Sequence, residues 1–142
     1  MMIKIISFKL FISSSIFIFL LILTTSCSKT IEIEDLQGKW NYISIKNADP
    51  EDIITDAEVK IQNPSIFFSD NNDLIIEWGA KQISHGKFKL DGKMIRYTEF
   101  LEGGRTREFP FLIIKLNENE LVFQTMEKNF TRVSAKKNAN KL

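Results

Sequence analysis

Cysteine and histidine are nearly missing from this sequence, which has one of each, Cys27 and His85. A single cysteine closes no intrachain disulfide and builds no cysteine-rich zinc site, and a single histidine leaves no multi-histidine metal centre. An excess of charge of either sign is also missing, with 19 Lys and Arg against 18 Asp and Glu in 142 residues. Nucleic-acid binders carry a clear basic surplus, so no nucleic-acid partner is expected. No apolar run reaches the roughly 20 residues that span a bilayer. Against these absences stand 44% hydrophobic and 26% charged residues. Those proportions exclude wholesale disorder, and the length suits one domain.

Residues 1–26 read as a signal peptide. Lys4 and Lys9 are the only charges ahead of the apolar run 16–23, and Thr24, Thr25 and Ser26 then lead to Cys27. A short apolar core closed by small residues marks a cleavage site. The segment resembles a bacterial lipoprotein signal, with Thr24 where Leu is usual and Leu23 one step earlier. The resemblance implies lipidation of Cys27, which becomes the first mature residue and carries a diacylglyceryl thioether and an amide-linked, palmitate-type chain. Three acyl chains, at about 0.8 kcal/mol per buried methylene, hold firmly where one binds marginally. An ordinary secretory signal, or an uncleaved anchor with Cys27 incidental, is the alternative. Ser28 in place of Asp after the cysteine points to the outer membrane of a cell envelope, on its periplasmic or surface face. Losing Lys4 and Lys9 with no acid lowers the basic count from 19 to 17 against 18 acids, a nearly neutral mature chain. Residues 27–35 hold the lipidated cysteine and a tether.

From residue 36 onward, short β-branched and aromatic segments alternate with turn signals. Strands are expected at 38–46, 59–62, 66–69, 74–79, 83–90, 93–100, 106–116, 121–126 and 129–133. Between them lie Asp70-Asn71-Asn72-Asp73, Asp91-Gly92, Gly103-Gly104 and Asn117-Glu118-Asn119-Glu120, which are hairpin sequences. Asp91-Gly92 suits the two central positions of a type I′ turn. Successive hairpins without crossover helices make an all-β, antiparallel up-and-down meander, and closure into a barrel of about eight strands over 36–134 hides its edges. The segment 47–55 is irregular, with a short helix expected at Pro50 under an Asp49 cap, placed as a lid over one barrel end. Pro110 requires an edge or a bulge in its strand. Residues 135–142 read as a frayed tail.

Gly38-Lys39-Trp40 opens the first strand and Phe130-Thr131-Arg132 lies on the last. The pair resembles the lipocalin-like domains of small bacterial lipoproteins. Phe67-Phe68 before the 70–73 turn, Leu74-Ile75-Ile76 after it, and Ile114-x-Leu116 followed by Leu121-x-Phe123 extend the likeness over about 36–133. It implies a lipocalin-like (calycin-type) barrel in which Trp40 closes the base, Gly38 lets the backbone pass close beneath it, and Arg132 packs across the indole. Such a cation–π contact is worth about 0.5 to 2 kcal/mol. Trp40 and Tyr42 share one face of the first strand and Ile43 and Ile45 the other, so the second face calls for outer cover from the 47–55 helix or the tether.

Residues for catalysis are sparse. Ser84 and His85 are strand neighbours and point to opposite faces, and no Gly-x-Ser-x-Gly elbow accompanies them, which leaves His85 at the surface or rim. Glu118, Glu120, Asp70 and Asp73 fall in solvated turns. The 70–73 turn lacks the glycine and glutamate of an EF-hand loop, and Gly103-Gly104-Arg105 lacks a following Lys-Ser/Thr. The chain is therefore expected not to be an enzyme and to need no cofactor or metal. Strand parity puts Trp40, Phe68, Trp78, Phe88, Leu112, Ile114 and Phe123 inside, with Arg96, Tyr97 and Arg107 at the rim. Of these, Trp78, Phe68, Phe88, Arg96, Tyr97 and Phe123 are the candidate ligand contacts for a small apolar or amphipathic molecule. The alternative is a barrel filled by its own side chains, docking an envelope protein as a subunit or inhibitor through 47–55 and 101–107. Eight strands enclose a space that suits either case.

Overall fold

The computed structural model describes residues 30–139. The signal peptide and Cys27 lie outside these residues. Eight strands follow in chain order: β1 (Gly38–Asn47), β2 (Ser65–Phe68), β3 (Asp73–Trp78), β4 (Lys81–Asp91), β5 (Met94–Phe100), β6 (Thr106–Leu116), β7 (Glu120–Thr125) and β8 (Thr131–Lys137). Each pairs antiparallel with the next, and β8 returns to β1, so the meander closes into a barrel. One short helix, α1 (Ile33–Leu36), precedes β1, and a second, α2 (Asp56–Gln62), joins β1 to β2. This is the up-and-down architecture that lipocalins use. Among the described residues the buried core runs from Leu36 to Ala135.

Alternation explains most of the strands. On β5, Ile95, Tyr97 and Glu99 are buried while Arg96 is exposed, the period-2 pattern of a strand with one face on the core. Three register shifts reset that pattern, one of them on the β3–β4 ladder between Ile76 and Glu77. On β1 the register shifts between Tyr42 and Ser44; Ile43 is left 43% exposed, and Ile45 turns inward at 7%. A bulge re-aims every later side chain, so β1 needs no outer cover for Ile45. On β6 the remaining shift falls between Ile113 and Lys115.

Glycine acts decisively at one interior position. A β-carbon on Gly86 would meet the backbone of Thr98 and Glu99 on β5, so only glycine lets β4 and β5 approach this closely. Turn chemistry also departs from expectation. Asp91 pairs with Met94, which makes Gly92 and Lys93 the central residues, and only Gly92 has positive φ. Glycine at the first central position belongs to type II′ rather than I′. The turn with both central residues at positive φ is Gly79-Ala80, at +59° and +61°.

Several boundaries move. Residues 59–62, expected as a strand, form the C-terminal half of α2. Thr55 accepts a hydrogen bond from Glu58 N (3.1 Å) and Asn63 closes the helix at φ 45°, so a capped start and an αL stop outweigh the Val-x-Ile alternation. The helix expected at Pro50 is a turn. In the supposed tether, Ile31 and Ile33 pack on the core. The tail expected to fray from 135 continues β8 to Lys137, pairing with Trp40. Pro110 meets the edge requirement locally: the β6–β7 ladder begins at Phe111, so Pro110 has a strand neighbour on one side only.

Candidate functional site

The two ends of the barrel differ. At one end gather the start of β1, the Asp70–Asn72 turn and α1, and the interior there is filled: Leu36, Trp40, Ile66, Leu74, Ile95, Leu121 and Ala135 are all at 0% exposure. Trp40 Nε1 donates to Leu36 O at 2.7 Å, giving the buried indole the partner it requires. The cation over this ring is Lys137, whose Nζ lies 5.0 Å from the ring centroid. Arg132, expected there, pairs with Lys46 near the far end of β1. It stacks on Phe130 at 5.4 Å and donates to Gln124 Oε1 from Nε and Nη2. The extra two residues of β8 beyond Ala135 carry the chain to the base, which is why a lysine from the supposed tail takes the place. A β-carbon on Gly38, at φ +112°, would lie 3.3 Å from the same lysine stem.

The other end is the mouth, ringed by the connection carrying α2, the Gly79-Ala80 turn and the β5–β6 and β7–β8 loops. Helix α2 tucks Val59 into the core at 1% exposure, and Gly79 N donates to Gln62 O at 2.8 Å, tying the helix to the β3–β4 turn.

Inside the mouth, a hydrogen-bonded chain crosses β4, β5 and β6. Ser84 Oγ donates to Glu99 Oε1 at 2.6 Å and lies 2.6 Å from Tyr97 Oη. An ionised carboxylate accepts only, so Ser84 gives its proton to Glu99 and Tyr97 donates to Ser84. Arg107 closes the chain, donating to Glu99 Oε2 from Nε at 3.0 Å and Nη2 at 2.6 Å. The Glu99 side chain is 8% exposed and that of Arg107 60%, so the carboxylate is interior and its counter-ion stands at the rim, over the Phe109 ring. Burial raises the Tyr97 pKa above the ordinary phenol range, against the lowering effect of its Ser84 hydrogen bond.

Aromatic rings form the adjoining wall. Tyr42, Phe123, Phe111, Phe109 and Tyr97 make a continuous series of ring contacts with centroids 5.2 to 6.0 Å apart. Tyr42 differs from the rest. It points inward between Trp40 and Ile45, and burial pushes its pKa far above the phenol range. Yet the residue keeps accessible surface, and its hydroxyl has no hydrogen-bond partner among the described residues. Tyr42 is therefore open to solvent on its inward side rather than sealed into the core. Ile76, Trp78 and Phe109 also face inward and are only partly buried.

The expected site residues divide accordingly. Phe68, Phe88 and Phe123 are interior, the first two in an edge-to-face pair at 5.1 Å. Trp78 ends β3 at the mouth. Tyr97 is wholly buried rather than at the rim. Arg96 belongs to the outer face and the other end, where it pairs with Asp91 at 2.9 Å. Leu112 and Ile114 face outward, Ile114 at 46% exposure, and Phe111 and Ile113 take the inside. The run 109–114 is apolar on both faces, so parity alone did not choose between them. His85 is exposed, its ring edge-on to Phe100 at 5.8 Å. Glu99 and Ser84 were missed, although Ile95-x-Tyr97-x-Glu99 places the glutamate inside once Tyr97 is inside. Among the described residues no group of three or more metal-binding side chains occurs, and no helix is long and apolar enough to cross a membrane.

Comparison with known proteins adds little. No family model matches the chain, and no curated protein matches it. A solved complex of bovine odorant binding protein with a selenium-containing odorant is similar at TM-score 0.40 and 18% identity, over 83% of this chain and 80% of that one. The closed strand order, and not this likeness, defines the fold.

Proposed function

We propose that the protein is an envelope lipoprotein whose barrel binds a small, mostly apolar molecule through its mouth. The observation that carries this reading is the contrast between the filled base, with Trp40 and Leu74 at 0% exposure, and the inward-facing Tyr42 above it, which keeps accessible surface. Apolar burial of a ligand against the aromatic wall supplies about 25 cal/mol per Å². Cys27 and the apolar segment before it support anchoring through a lipidated cysteine, with the outer membrane as the site.

The test compares native and denaturing mass spectra of the chain from Ser28 onward. Extra mass that is released on denaturation supports an occupied chamber. An apo mass, with no uptake of a neutral aromatic dye, rejects it. Labelling with radioactive palmitate, lost on Cys27→Ser, tests the anchor.

A second reading, docking of an envelope protein, draws on the apolar rim. Ile53, Ile61 and Met126 are 73%, 80% and 50% exposed around the mouth. Loss of a partner after these residues are changed to Ser, with no ligand bound, favours it.

A further inference from the structure

Resting on the ligand-binding reading, we infer that the Tyr42 hydroxyl is the polar anchor of the chamber, and that the molecule it selects is uncharged, bearing one hydroxyl or carbonyl on an apolar body. Three observations lead there. First, the other polar side chains beside the aromatic wall are already committed, the Trp78 indole and Lys81 belonging to the β3–β4 turn instead. Tyr97 gives its proton to Ser84, Ser84 gives its own to Glu99, and Arg107 holds the second Glu99 oxygen. Tyr42 alone on the aromatic wall presents a hydroxyl with no partner among the described residues.

Second, the Tyr42 ring is fixed. Its edge-to-face contact with Phe123, at 6.0 Å and 68°, aims a hydroxyl that can both donate and accept. A ligand oxygen that meets this accessible hydroxyl exchanges its water contact for a direct hydrogen bond, a modest net gain. The hydroxyl therefore discriminates between ligands that carry an oxygen and those of the same shape that do not.

Third, the aromatic wall around Tyr42 offers no free charge. Along the inward-facing positions of the described strands, the ionised groups are Glu99 and Arg107, which neutralise one another, Lys137, which covers Trp40 at the closed end, and Lys81, which stands exposed opposite Trp78 at the β3–β4 turn and not on that wall. A carboxylate or ammonium entering this space would be buried without a counter-ion, a penalty of many-fold in affinity. A neutral head group avoids it.

The test uses one ring system with three substituents. The chain from Ser28 onward is loaded with N-phenyl-1-naphthylamine, a neutral fluorescent probe, and challenged at pH 7 with naphthalene, 2-naphthol and 2-naphthoate. The expected order of displacement is 2-naphthol first, naphthalene next and 2-naphthoate last. The naphthol should lead naphthalene by about three- to tenfold, the worth of one neutral hydrogen bond. Tyr42→Phe, which keeps the ring and its Phe123 contact, should erase that lead and leave naphthalene within about twofold of wild type. A naphthol lead that survives in Tyr42→Phe, or a naphthoate that binds as tightly as naphthol, overturns the inference while the binding function stands. If the probe itself fails to bind the folded protein, the chamber reading falls and takes this inference with it.

Discussion

A β-carbon placed on Gly86 would collide with the carbonyl oxygen of Thr98 on the neighbouring strand. No side-chain rotation relieves a clash with backbone, so β4 and β5 must part if residue 86 is anything but glycine. Gly86→Ala is expected to destabilise the barrel by about 3 kcal/mol, at the upper end of overpacking costs. Urea denaturation measures it, and a change below about 0.5 kcal/mol would show that the strands can separate freely.

Ala80 holds φ +61° in the turn between β3 and β4. An L-residue pays for that conformation where glycine does not. Ala80→Gly should therefore stabilise the protein by about 0.5 to 1 kcal/mol, a gain in denaturation midpoint opposite in sign to the usual effect of a new glycine.

The cation above Trp40 gives a sharp contrast between two basic residues. Lys137→Met should cost about 0.5 to 1 kcal/mol through the lost contact with the indole. Arg132→Met, which removes only exposed contacts to Gln124 and Phe130, should stay within about 0.5 kcal/mol. Equal losses would return Arg132 to a structural role at the base.

Removing Arg107 strands the Glu99 carboxylate inside the mouth. Arg107→Met should cost about 1 to 3 kcal/mol, less than for a wholly buried pair because the guanidinium is over half exposed. Glu99→Gln in the same chain should recover much of the loss, since an amide needs no counter-ion. A double-mutant cycle reads the coupling, and simple additivity would mean the two side chains do not depend on each other.

Acid sensitivity has an identifiable source on the outer wall. A hydrogen bond from Lys39, then one from Ser65, holds the Glu77 pKa below the ordinary carboxylate range, against a raising effect of burial. A carboxylate with a depressed folded pKa stabilises fully above its unfolded pKa of about 4.3, and that stability is lost as pH falls through the lower folded value. Glu77→Gln should lower stability at pH 7, where the ionised carboxylate contributes, flatten the loss below about pH 4.3 and converge on wild type at low pH. An unchanged acid limb would assign the sensitivity elsewhere. Because Glu77 is partly exposed, the effect should stay under about 1 kcal/mol.

How much of this was legible in the sequence depends on whether each strand's two faces differ. β5 alternates cleanly from Ile95 to Glu99, and the hairpins at 70–73 and 117–120 lie where their Asn and Asp residues put them. The run 109–114 is apolar at every position, so its inward set was misread by one residue. Val59 and Ile61 alternate like a strand but sit in a helix whose caps, Thr55 and Asn63, are single side chains outweighed by pattern. The bulge at Ile43 has no signature in residue type, and without it Ile45 cannot join Trp40 inside. The polar chain at the mouth was hidden for a related reason: Ser84, Tyr97 and Glu99 meet only through the β4–β5 register, which Gly86 makes possible.

Both ends of the described chain meet the barrel at its base: α1 leads into β1 beside Trp40, and Asn138 N donates to Lys39 O at 2.8 Å. Every described segment around the opening is thus an internal connection. Fusion of a reporter or a surface tether directly at Thr30 or Ala139 starts from the base and not from the entrance. The four rim connections can be lengthened or randomised as a set, with the base untouched, to make a small receptor of chosen selectivity.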